Sequence, residues 1–243
     1  MSLKQIALKY LPGPALKFVR ARHYQNQLKH YNIKDEPDLL GCKTILCPGD
    51  TALDIGANIG LYTRFCSEFV GPSGRVYSLE PIPETFSYLT RNVHYLGLSN
   101  VECYNFAASD QSNDHARMSL PSYTTGGTNL YRAELSDTGN IPVKTVRLDE
   151  LFSAISPKFI KCDVEGCEVQ CINGALQLIT RCRPIWMIEV GNPQVFEIFA
   201  SFDYDTLVWD QNCFRCVTPA DKYTNYFFFP KERAFIFDVF SEI

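Results

Sequence analysis

From residue 50 onward, short β-rich runs alternate with segments whose apolar positions recur at helical spacing. "TALDIG" (51–56), "RVYSLEP" (75–81), "VECYNFAAS" (101–109), "KFIKCDVEG" (158–166) and "IWMIEV" (185–190) read as strands. Between them, "LYTRFCSEFV" (61–70), "ETFSYLTRNVHYLG" (84–97) and "EVQCINGALQLITRC" (168–182) carry a helical period. The first is stopped by "GPSG" and the second by Gly97. A shorter helix is predicted over 193–202, after which "DTLVWD" (205–210) and "NYFFFP" (225–230) close the sheet as an antiparallel pair. This alternation predicts an α/β fold, a sheet with crossover helices. Residues 1–40 read as a helical extension broken by "LPGP" (11–14), ahead of one domain over 41–243. Within that domain, 110–148 is a long insertion rich in Ser, Thr and Gly that regains β character at "IPVKTVRLDEL". Its centre, "SYTTGGTNLYR" (122–132), is a candidate lid over a polyhydroxylated acceptor, with Tyr123 and Tyr131 as faces for sugar rings and Gly126–Gly127 as a hinge. An ordinary surface loop is the competing reading.

Composition narrows the class. With 46% hydrophobic and 13% aromatic residues, 243 residues suffice for a full core in one domain. No apolar run approaches the roughly 18–20 residues that span a bilayer, and no early apolar stretch leads into a small-residue cleavage site. A cytoplasmic protein is expected. The net charge of −4 is unevenly placed, since residues 1–34 hold seven Lys/Arg and no acid, leaving 16 basic against 27 acidic residues elsewhere. An acidic body disfavours a nucleic-acid partner. The basic segment reads as a solvated helix packed on the body, with peripheral contact to an anionic membrane face or an acidic partner as the alternative. Ten cysteines include one C-x-x-C, at Cys213 and Cys216, but no second close pair for a zinc ribbon. They are expected to be mostly buried thiols.

The chemistry begins at "DIGANIG" (54–60). Ligands of open α/β sheets bind beyond the carboxyl ends of the strands, which is where this turn falls. Gly56 and Gly60 allow close backbone approach, and Glu80, ending the second strand, can accept from two ribose hydroxyls. A dinucleotide fingerprint would want a third glycine where Leu61 stands, and Asp54 in front of the loop would repel a pyrophosphate. This disfavours an NAD-linked oxidoreductase. An acid there suits a ligand with an ammonium and a sulfonium, as in S-adenosylmethionine.

Several separated stretches then resemble one family in order and spacing. "GDTALDIGANIGLYTRFCSEFV", "VYSLEPIPETFSYLTRNV", "FAASDQS", "VRLDEL", "FIKCDVEGCEVQCINGA" and "IEV" resemble the FkbM-family methyltransferases over about residues 36–190, with weaker likeness to "NYFFFP". The resemblance implies a class I S-adenosylmethionine-dependent, Rossmann-like fold with a seven-stranded, mostly parallel sheet and helices on both faces. It further implies O-methylation of a sugar or natural-product hydroxyl. Carried over by position, Asp54, Gly56, Ala57, Asn58 and Gly60 should hold the methionine end. Glu80 should take the ribose, Pro81 and Ile82 should lie against the adenine, and Ala108, Ser109 and Asp110 should close over its amino group.

For the acceptor, the dense cluster is "KCDVEGCE". Lys161 and Asp163 fall on one side of a strand, Asp163 and Glu165 at its end, and Glu189 at the end of the next strand. Asp163 borders the cofactor cleft as well. One of these carboxylates could deprotonate a hydroxyl, or Asp163, Glu165 and Glu189 could hold Mg²⁺. The structural alternative pairs Lys161 with Glu189 or Asp163 and uses Glu165 to cap the following helix. Competing functions are an N- or carboxyl-methyltransferase of a natural product and a non-catalytic S-adenosylmethionine-binding module.

Overall fold

The computed structural model describes residues 13–119, 134–135, 139–217 and 222–233. Two helices lead in, α1 (Gly13–His30) and α2 (Pro37–Ile45). The repeating part follows as β1 (Thr51–Ile55), α3 (Leu61–Val70), β2 (Arg75–Leu79), α4 (Pro83–Leu96) and β3 (Val101–Tyr104). Next come β4 (Ala107–Ala108), β5 (Asn113–Ser119), β6 (Glu134–Leu135), β7 (Ile141–Val146) and α5 (Leu148–Leu151). The chain returns to the main sheet with β8 (Phe159–Cys162), α6 (Glu168–Asn173), α7 (Leu176–Cys182), β9 (Ile185–Glu189) and α8 (Gln194–Ser201). It continues through β10 (Tyr204–Asp210), β11 (Cys213–Cys216) and β12 (Asn225–Pro230).

The main sheet has the order β11-β10-β12-β9-β8-β1-β2-β3. Strands β3, β2, β1, β8 and β9 are parallel, and β12 runs antiparallel between β9 and β10. Both faces are buried, which is why the strands read as nearly continuous apolar runs. On one face Leu53, Ile55, Ile160, Trp186, Ile188 and Phe228 pack with α5–α8. On the other, Ala52, Phe159, Ile185, Met187, Phe227 and Phe229 pack with α2 and α3. The chain leaves β1 in one direction toward β2 and β3, then returns to β1's other side as β8, so the topological switch lies at the carboxyl ends of β1 and β8.

Three expectations change. The sheet has eight strands, not seven, because Cys213–Cys216 forms β11 against β10. Gln211 and Asn212 between them both have positive φ (48° and 66°), the two-residue hairpin turn that matches strand twist. Cys213 and Cys216, three positions apart in a strand, therefore point to opposite faces. The strand expected over 101–109 is divided, with Asn105 turning the chain from β3 to β4 while its amide donates to the carbonyls of Glu80 and Pro81 (2.8 and 2.9 Å). The helix expected over 168–182 breaks at Gly174, where a Cβ would sit 2.0 Å from the Ser109 carbonyl oxygen. Asp149 restarts it, accepting from the amides of Gln177 and Leu178.

The 110–148 segment contributes strands to a second sheet, ordered β4-β7-β5-β6. Its inner face brings Met118 and Val143 against Ile82. The candidate lid at 122–132 lies outside the described residues. Among the described residues, no helix is long and apolar enough to cross a membrane.

Candidate active site

A cavity of about 230 Å³ opens at the switch point. The β1–α3 turn, the end of β2, β4, β5, the segment after β8 and the end of β9 line it through Gly56, Asn58, Glu80, Pro81, Ile82, Ala107, Ala108, Met118, Asp163, Val164, Glu165, Cys167 and Glu189. Gly56 is required by its surroundings: its φ is +75°, and a Cβ would lie 1.8 Å from the Asp163 carbonyl oxygen. The turn is closed by its own amides. Gly56 and Ala57 donate to the Leu79 carbonyl, Gly60 to the Ala57 carbonyl, and Asn58 to Glu80 Oε2 at 3.0 Å. These four amides are used within the fold, so they are not offered to a pyrophosphate.

Glu80 is buried, with its second oxygen accepting from the Ile82 amide at 2.9 Å. Burial pushes its carboxyl up to about 7 despite those two amides. Each carboxylate oxygen retains a lone pair directed at further donors. At the far side of the cavity, Glu189 is half-buried at the end of β9. Its carboxyl is also raised to about 7, first by burial and then by the charges of Asp163 and Glu165, with a carboxyl-to-carboxyl contact to Asp163.

Beneath the turn lies a row of buried polar groups on three adjacent strands. Asp54 is register partner to Ser78 on β2 and Lys161 on β8. Thr63 of α3 donates to Asp54 at 2.6 Å and contacts the Ser78 hydroxyl at 2.8 Å. Lys161 reaches Asp54 at 3.7 Å, Asp163 at 3.1 Å and the Gly56 carbonyl at 3.1 Å. Burial works against its charge, but Asp163 and Asp54 outweigh it and hold the ammonium above the usual lysine range. Asp54 itself is raised by burial, with Lys161 as the main opposing influence. Lys161 therefore ties the glycine turn to Asp163 across two strands.

Residues 54–213, about two-thirds of the chain, match the methyltransferase FkbM domain. The chain belongs to the FkbM methyltransferase family. The fold of an FkbM methyltransferase from Methylobacillus flagellatus KT is similar, with a TM-score of 0.51 at 15% identity, covering 93% of this chain and 57% of that one. A hexuronic acid methyltransferase, AglP, of Haloferax volcanii is 30% identical over 128 residues, 51% of this chain and 49% of its own. A protein-L-isoaspartate O-methyltransferase of Ignicoccus hospitalis is 30% identical over 111 residues, 40% of this chain and 53% of its own. The chain thus spans about half the length of these curated relatives.

In this FkbM-family chain, Gly56, Asn58, Glu80, Pro81, Ile82, Ala108, Asp163, Glu165 and Glu189 are brought together on one cavity. Other expected residues do not line it. Asp54 is fully buried under the turn and partnered by Thr63 and Lys161. Its expected contact with a cationic ligand is thus replaced by support of the turn, and its neutralised charge no longer argues against a pyrophosphate. Ala57 and Gly60 shape the turn from behind. Ser109 and Asp110 are turned away, the Ser109 hydroxyl on Asp110 and the Asp110 carbonyl on Arg147. Lys161, expected among the catalytic groups, is 5% exposed and lies beneath the turn, off the cavity lining. Its acidic partners are Asp163 and Asp54, and the amide of Gly166 is bound by Glu168, not Glu165.

Ala107, Met118, Val164 and Cys167 were not expected on this cavity. Met118 is the one large apolar residue of "NDHARMS", a signal that something apolar faces it, although its distance from Ile82 in sequence hides what. The "VRLDEL" stretch also gains a structural account, since Arg147 joins Asp149 to the Asp110 and Asn173 carbonyls.

Proposed function

We propose that this chain transfers the methyl group of S-adenosylmethionine to a hydroxyl of a sugar, glycan or glycosylated small molecule, with Glu189 as the general base. The observation that carries this reading is the pairing, on one cavity, of an amide-held Glu80 beside a glycine turn with a raised carboxyl at Glu189. The residues fit the methyl donor. Glu80 has acceptor capacity for ribose hydroxyls, Ile82, Ala108 and Met118 offer an apolar wall for a base, and Asp163 lies by the turn for an ammonium. Bound there, S-adenosylmethionine supplies a methyl group already activated for in-line displacement.

The chain's own work is alignment and proton removal. Burial, and after it the crowding of Asp163 and Glu165, raises the Glu189 carboxyl to about 7, so its basicity suits an alcohol proton near neutrality. Lys161 keeps Asp163 and the glycine turn in register. Among the described residues, no group of three His, Cys, Asp or Glu side chains is arranged to hold a metal ion, and proton transfer to Glu189 proceeds without one.

The sugar acceptor draws support from the hexuronic acid methyltransferase relative. The isoaspartate O-methyltransferase relatives favour a second reading, methylation of a carboxyl group. Four acidic side chains, Glu80, Asp163, Glu165 and Glu189, line the cavity, and their charge disfavours a carboxylate nucleophile, which supports the hydroxyl reading over the second. The full-length chain, methyl-labelled S-adenosylmethionine and a panel of neutral and uronic sugars test it. An alkali-stable methyl ether is expected; an alkali-labile ester as the product would replace this reading with the second.

A further inference from the structure

Helix α1 buries Ala21 and Leu28, with Tyr24 alongside, against Ile59 and Tyr88. Outside that contact most of α1 is exposed. Phe18 is 65% exposed and Val19 45%, and with Tyr95 of α4 they are the large hydrophobic residues left exposed among the described residues. Between α1 and α4 lies a cavity of about 380 Å³ lined by Lys17, Pro83, Glu84, Ser87, Tyr88 and Arg91. Its one acid is engaged: Glu84 pairs with Arg20 at 3.6 Å and accepts from the Tyr88 hydroxyl at 3.2 Å. Among the described residues, neither Lys17 nor Arg91 has an acidic partner. Two cations and the Ser87 hydroxyl therefore face one cavity whose single acid, Glu84, is already shared with Arg20.

The arrangement pairs charge with apolar surface twice over. Phe18 follows Lys17 directly, and Tyr95 lies one helical turn beyond Arg91 on the same side of α4. Arg22, one turn after Phe18, adds a third exposed cation. Residues 1–34 hold seven Lys/Arg and no acid, against a body of −11. A soluble anion would call for the cations alone. Exposed Phe and Val beside them call for an apolar layer directly under the anion, which is the chemistry of a phospholipid surface.

We propose that the α1–α4 face docks on an anionic phospholipid membrane, with a lipid phosphate between Lys17 and Arg91 and with Phe18 and Val19 entering the acyl boundary. The inference does not rest on the methyl-transfer reading.

Co-sedimentation of the full chain with vesicles of phosphatidylcholine alone, or of equimolar phosphatidylcholine and phosphatidylglycerol, tests it. Binding is expected on the anionic vesicles only, weakening as salt rises. The Lys17→Ala/Arg91→Ala double substitution should weaken it about thirty-fold. Phe18→Ser/Val19→Ser should abolish stable binding while leaving the melting temperature unchanged, because both side chains are exposed. No binding of the wild type to anionic vesicles would overturn the proposal, as would binding that survives both double substitutions. Inorganic phosphate raising the melting temperature through Lys17 and Arg91, without vesicle binding, would make this a soluble-anion site and sink the membrane.

Discussion

Glu80 and Glu189 face the same cavity and hold protons to about the same pH, about 7, yet their surroundings suit them to different tasks. Glu80 is raised chiefly by burial, with a smaller push from Asp54, and two backbone amides fix its orientation and favour its charged form. It is a rigid acceptor built into the β2 end. Glu189 is raised by burial and by like charges on Asp163 and Glu165, a crowding that favours taking up a proton. A similar acidity can therefore mark a binding group or a base. What distinguishes them is whether amides or carboxylates stand alongside.

The strongest way to break this comparison is to remove the proposed base. Glu189→Gln should lower methyl transfer at saturating S-adenosylmethionine by roughly 10²–10⁴-fold. In the wild type, the rate should climb as pH rises through about 7, and the limb should vanish in the variant. A full-rate variant would move the base elsewhere, with Asp163 and Glu165 the next to test.

Next in size is Lys161, which supports both sides of the cavity. Lys161→Met leaves Asp54 buried with its charge uncompensated, at a cost of about 3–5 kcal/mol in urea unfolding. Adding Asp54→Asn should recover part of that loss. No recovery would mean that Lys161 acts through Asp163 alone.

The smallest effect concerns the empty protein. Glu189's carboxyl stands at about 7 folded against an ordinary 4.5, so the folded chain binds more protons between those values. Stability therefore declines as pH rises from about 4.5 to about 7, and the whole penalty applies above that. Glu189→Gln should then stabilise the protein by about 1 kcal/mol above pH 7, after discounting for solvent screening. The gain should disappear at pH below 4.5. An equal gain at both extremes would show a packing effect instead.

Much of this was readable along the chain because the signals are local. Gly56 lies at the end of a strand, and Glu80 at the end of the next, so both could be set beside a ligand without knowing any long-range register. The strand ends of β8 and β9 likewise brought Asp163, Glu165 and Glu189 to one edge. The place of Asp54 is not local information, because its partner is 107 positions away and only the β1–β8 register puts Lys161 beside it. By its neighbours in sequence its charge faces a ligand; in the fold it faces a lysine. The second sheet was harder still: Met118 meets Ile82 through a strand whose other residues are mostly exposed polar groups. Strand β11 is hard to see in sequence because it is four residues long and the positive-φ turn before it, Gln211–Asn212, has no glycine to mark it.

The division of labour between Glu80 and Glu189 can be tested without knowing the acceptor, by calorimetric titration of S-adenosylmethionine into the wild type, Glu80→Gln and Glu189→Gln. Loss of a charged hydrogen-bonding group should weaken binding about 10–100-fold in Glu80→Gln. Glu189→Gln should keep the wild-type affinity. Unchanged affinity in Glu80→Gln, or an equal loss in both variants, would contradict the account.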